Sequence, residues 1–147
     1  MDKVTIDGVC LTPLKDIVTD GGCVLHAMKK TDVGFRGFEE AYFSVVSYGT
    51  VRGWKRHRNM TLNLVVPVGE IKFVLIDDSG SSKNLVVCEF ILSRKNYCRL
   101  TIPSGVWVGF QGLSDGENML LNLSNLLHDP AESDHKEIGQ FSYNWDI

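Results

Sequence analysis

The chain has 147 residues, 44% of them hydrophobic and 22% charged, with a formal net charge of -3. That is the composition of one ordinary globular domain, long enough to build its own core and without the basic excess of a nucleic-acid surface. No apolar run reaches the roughly 18 residues of a membrane span, so no membrane contact is expected.

The N-terminal "MDKVTIDGVCLTPLKD" has no signal-like apolar stretch. Cys10, Cys23, Cys88 and Cys98 show neither a CxxC pair nor zinc spacing. Three of them lie in apolar stretches, as buried thiols do, and a reduced, cytoplasmic setting is expected.

In chain order, "TDGGCVLHAM" (Thr19 to Met28) carries His26 on an early strand, and "FRGFEEAYF" (Phe35 to Phe43) is expected to hold a short helical or 3₁₀ turn. Between the apolar "FSVVSYGTV" and "MTLNLVVPVG" lies "RGWKRHR", Arg52 to Arg58. In "MTLNLVVPVG" the alternate residues Met60, Leu62, Leu64, Val66 and Val68 define one apolar face, and in "EIKFVLID" Ile71, Phe73 and Leu75 do the same. "LVVCEFIL", "YCRLTIP", "GVWVGFQGL" and "NMLLNLSNLL" follow as strands, separated by turn-formers such as "DDSGSSKN" and "PSG". The final 129–147 stretch is polar until Phe141 and is expected to wrap over the strands. "HDPAESDHKE" within it has the residue types of a solvated loop. The pattern predicts one all-β domain over 1–147, a sandwich or barrel.

The basic heptad is the part of the chain that points to chemistry. On a regular strand Lys55 and His57 share one face while Arg52, Trp54 and Arg56 share the other. A bulge at Gly53 rotates Arg52 towards the first face. Neighbouring cations make each other easier to deprotonate, so Lys55 and His57 are candidate bases near neutral pH. Arginine offers bidentate recognition of phosphate.

At these residues the chain resembles a known family. "GTVRGWKRH", "NLVVPVGEIKFVLID", "RLTIPSGVWVGFQGLSD" and "LLNLSNLLHDPAE" are similar, in order and separation, to segments of the dTDP-4-dehydrorhamnose 3,5-epimerase family, over about Gly49 to Glu132. The resemblance implies a cupin-like double-stranded β-helix (jelly roll), a homodimer, and a substrate that is a nucleotide-diphosphate sugar. It implies proton abstraction next to a ketone with neither metal nor cofactor. Arg52 matches the arginine that grips the diphosphate. The family's two histidines fall on Lys55 and Val108, and its tyrosine falls near Leu121 or Asn122. Against a related branch, the sugar-nucleotide 3,4-ketoisomerases, His57, Arg58 and Trp107 match.

A cupin metal would keep only His57 and Glu70 of four ligands, too few to hold it. The expected site therefore has His57 and Lys55 as proton-transfer groups and Arg52, Arg58, Asn63, Trp107, Gln111 and His26 around the substrate. Epimerisation is the first expectation. Ketoisomerisation, or a barrel that binds sugar nucleotides without turning them over, is the alternative.

Overall fold

Period-2 patterning builds two five-stranded sheets, seen in a computed structural model that describes residues 5–80 and 85–146. Strands β1 (Cys10–Pro13), β4 (Glu40–Val46), β6 (Leu62–Val68), β9 (Cys98–Ile102) and β11 (Asn118–Ser124) form the first, in the order β1-β9-β6-β11-β4. The second contains β5 (Val51–His57), β7 (Glu70–Asp77), β8 (Val86–Ser93), β10 (Trp107–Gly112) and β12 (Ser133–His135), ordered β12-β5-β10-β7-β8. A separate hairpin pairs β2 (Asp16–Thr19) with β3 (Gly22–Leu25). The strand ladders are antiparallel, and the architecture is the expected jelly roll. The predicted turn in "FRGFEEAYF" is absent: Glu40 already opens β4, which pairs with β11 along its whole length. Of the turn "DDSGSSKN", residues 81–84 lie outside the described residues.

The inward residues of both sheets meet in one core. Leu62, Leu64, Val66, Ile71, Phe73, Leu75, Leu100 and Ile102 are buried there, as their alternation requires. Val68 is half exposed and ends the apolar row one residue early. Each fully buried side chain of this kind stabilises the fold by about 1.5–3 kcal/mol relative to exposure.

Two further layers cover the outer faces. Over the second sheet, Trp54, Val74, Ile76 and Trp107 form an apolar patch closed by Phe141, Ile138, Tyr143 and Trp145 of the C-terminal stretch. Over the first, Arg99 of β9 donates to the carbonyls of Ala27 and Val33 and pairs with Asp32 at 3.3 Å. Arg99 is fully buried, so these partners offset the cost of taking its charge out of water. They pin the segment after β3 onto the sheet.

Candidate active site

The pocket is lined by residues of both sheets, and the phase of β5 decides what faces it. Opposite Gly109 the β5–β10 register slips by one: Val108 pairs with Lys55, but Phe110 pairs with Arg52. The extra residue is the bulge predicted at Gly53, whose φ is +148°. A Cβ there would stand 2.8 Å from the Gly109 Cα. Past the bulge Arg52, Lys55 and His57 all line one cavity of about 300 Å³. Its floor is Leu62, Leu64, Leu120 and Phe110 of the core, and Val108 closes the side beside Lys55.

His57 is buried, and its Nδ1 lies 2.6 Å from Oε1 of Glu132. Burial pushes the Glu132 carboxyl up, but it accepts the Asn59 N–H, the His57 ring and the Met60 N–H, which together hold it below the ordinary carboxylate range. An ionised carboxylate only accepts, so Nδ1 carries the proton and Nε2 keeps its lone pair. Desolvation is the main cause that holds His57 below its ordinary pKa. Glu132 opposes it, and Lys55 and His135 add smaller downward pushes. The imidazole is therefore neutral near pH 7, oriented from behind, and free to take a proton at Nε2.

The other sheet supplies what the sequence reading lacked. Tyr42 and Ser44 of β4 and Asn122 of β11 line the same cavity. Tyr42 is the direct partner of Asn122, whose amide donates to the Tyr42 carbonyl and the Ser44 hydroxyl. Burial, then the Glu40 carboxylate, raises the Tyr42 phenol above 10, so it stays protonated. Two titratable groups are thus poised in opposite senses on facing walls, a pattern of acid–base sites.

The remaining sequence candidates divide. Arg52 and Lys55 face the cavity and make no ion pair or side-chain hydrogen bond among the described residues. Arg58 points away, held 2.7 Å from Asp134. Trp107 is not at the mouth: it is 2% exposed in the outer aromatic patch, and its Nε1 donates to Asp78. Gln111 is buried and donates to the carbonyls of Gly49 and Trp145. Asn63 ties Gly34 to Thr101 behind the first sheet. His26 engages the chain through its backbone, donating to Lys15 and accepting from Tyr97. Glu70 starts β7 and lines no part of this cavity.

"HDPAESDHKE" is not a solvated loop. It forms a 3₁₀ turn at Pro130–Glu132 and then β12, which pairs with β5 and brings Glu132 and His135 to the site while Asp134 faces outward. The signal that could have located Glu132 was the family-like "HDPAE" itself.

No protein-family model matches the chain. A probable low-salt glycan biosynthesis epimerase, Agl13 of Haloferax volcanii, is 29% identical over 102 residues, 68% of this chain. The match spans 65% of that relative's length. A crystal structure of a dTDP sugar isomerase from Desulfovibrio desulfuricans superposes with a TM-score of 0.87 at 34% identity, covering 95% of this chain and 92% of that one. The dTDP-4-dehydrorhamnose 3,5-epimerase from Elizabethkingia anophelis shares the fold, with a TM-score of 0.81 at 16% identity over 99% of this chain and 85% of its own.

Proposed function

The chain belongs to the cupin-like family of dTDP-sugar epimerases and isomerases, and on that footing we propose that it is a sugar-nucleotide epimerase. Its substrate is a nucleotide-linked 4-keto-6-deoxyhexose, and its role lies in deoxysugar and surface-polysaccharide biosynthesis. The observation that carries this reading is one pocket with the neutral His57 ring, backed by the ionised Glu132, on one wall and the protonated Tyr42 on the other.

His57 Nε2 removes the acidic proton beside the ketone, and the C–H electrons pass to the carbonyl oxygen as an enolate. The positive lining of the cavity, which carries no acidic side chain among the described residues, stabilises that charge, since a positive field at a developing oxyanion lowers the barrier. Tyr42 then gives its phenolic proton to the opposite face of the same carbon, which inverts the centre. His57 loses its proton to solvent and the Tyr42 phenolate regains one, so the cycle closes with nothing oxidised. Arg52, unpaired at the rim, grips the diphosphate.

No helix among the described residues is long and apolar enough to cross a membrane. The working assembly is a cytoplasmic homodimer, supported by the outward row of edge strand β4, where Phe43 is 61% and Val45 45% exposed. Light scattering of Val45→Lys, expected to be monomeric, tests this.

Proton NMR in D₂O with dTDP-4-keto-6-deoxyglucose tests the chemistry. Deuterium entering at C3 or C5 with an inverted product supports epimerisation. Exchange at C3 with a product whose ketone has moved to C3 would establish ketoisomerisation instead. Binding without exchange would leave a sugar-nucleotide-binding barrel.

A further inference from the structure

We infer that His135 is a further substrate-contacting residue of this pocket, an imidazole that binds the diphosphate beside Lys55. This rests on the sugar-nucleotide reading of the pocket but adds a residue outside the segments that suggested it.

β12 pairs with β5 so that Ser133 lies opposite His57, Asp134 opposite Arg56 and His135 opposite Lys55. Residues alternate in face along β12. Asp134 points outward and neutralises Arg56 and Arg58. His135 accordingly points inward, and it lines the cavity with Lys55 and His57. Lys55 therefore has two cross-strand neighbours on the pocket face, Val108 on β10 and His135 on β12. Directly paired side chains have Cβ atoms about 5 Å apart. That is close enough for an ammonium and an imidazole to hold one anion between them. On the Val108 side nothing can donate a hydrogen bond, so the His135 side is where an anion seated on Lys55 finds its next donor.

The charge balance agrees. Among the described residues the cavity lining holds Arg52, Lys55, His57 and His135 and no Asp or Glu. The Glu132 carboxylate does not line the cavity and is used behind the His57 ring. The cations of the outer face have Asp78 and Asp134, whereas those of the rim have no counter-ion among the described residues. The His135 ring is steadied by its own strand, with Nε2 3.3 Å from the Ser133 hydroxyl. A rim with three nitrogen groups and no acid suits the two negative phosphates of a nucleoside diphosphate.

The experiment follows the four histidine ring signals by NMR in the full chain, with His135 assigned through its loss in H135Q. Inorganic pyrophosphate, then dTDP, is titrated into wild type, H135Q and H135K. The expected result is that the His135 signal moves with both ligands. H135Q should weaken dTDP about tenfold and raise KM equally with kcat unchanged, and H135K should restore both. Equal dTDP affinity in wild type and H135Q with an unmoved His135 signal would overturn the proposal and leave the pocket's function standing. A fall in kcat at unchanged KM would also overturn it. Wild type that neither binds dTDP nor exchanges substrate protons would overturn the sugar-nucleotide reading instead. The pyrophosphate titration alone would then decide His135.

Discussion

The two faces of strand β5 carry the same kinds of residue and do different things with them. Outward, Arg56 is fixed between Asp134 and Asp78, and its guanidinium lies 4.6 Å over the Trp107 ring. Arg58 shares Asp134. Inward, Arg52 and Lys55 have no carboxylate partner among the described residues, and the Glu132 carboxylate is spent on His57. A paired cation holds structure, while an unpaired one beside a cavity is left available to a ligand. The contrast teaches that the count of basic residues in "RGWKRHR" says little until each has been asked for its anion.

Removing the base should break the inward face most completely. His57→Asn is expected to lower kcat about a thousandfold, read in a turnover assay on protein whose thermal transition is checked, because a positioned general base is worth about 10² to 10⁴. Next comes Tyr42→Phe, expected to cost about a hundredfold in product formation while the substrate proton still washes out into D₂O. Loss of washout as well would mean that Tyr42, not His57, removes the proton. Arg52→Gln should raise KM about tenfold with kcat preserved, the loss of one charge-assisted contact.

The outward face should respond in stability alone. Trp107→Ala is expected to cost about 3–5 kcal/mol in denaturant unfolding, with KM unchanged for the molecules that remain folded. Arg58→Ala, on an exposed pair, should leave both KM and the unfolding midpoint unmoved.

The pH dependence sharpens the same contrast. His57 is held below its ordinary 6.5, so the unfolded chain binds its proton first. Stability should fall as pH drops from 6.5 towards the folded value. Glu132, held below 4.5, is stabilising above that value, and its contribution is lost as pH falls through its own lower pKa. Both effects make the fold acid-labile, and calorimetry of His57→Asn should show the upper part of that loss removed. kcat/KM should decline on the acid side with an apparent pKa under 6.5, and on the alkaline side only above 10, where Tyr42 ionises.

Strands β6 to β11 were legible because period-2 alternation is local: Ile71, Phe73 and Leu75 announce their buried face within five residues. The bulge was legible for the same reason, a glycine inside a strand. What escaped depended on partners far along the chain. Glu132 is 75 residues from His57 and Tyr42 is paired across β11 rather than along its own strand. Tyr42 also opens an apolar run, where an aromatic reads as packing. Trp107 was misplaced because a tryptophan near a strand start looks the same at a mouth as beneath a covering segment, and only the packing of Phe141 against it separates the two. Asn63 and Gln111 have the chemistry of ligand-binding amides and use it to hold backbone carbonyls.

The late position of Glu132 has a consequence for how the protein comes to life. During synthesis, β5 leaves the ribosome long before its second partner, β12, so a nascent chain complete through β11 carries His57 without the Glu132 carboxylate behind it. The docking of Glu132 and β12 aims that ring, puts His135 beside Lys55 and neutralises Arg56. On the proposal that His57 is the base, proton transfer waits for this segment, and a chain not yet made past β11 is expected to exchange no substrate protons.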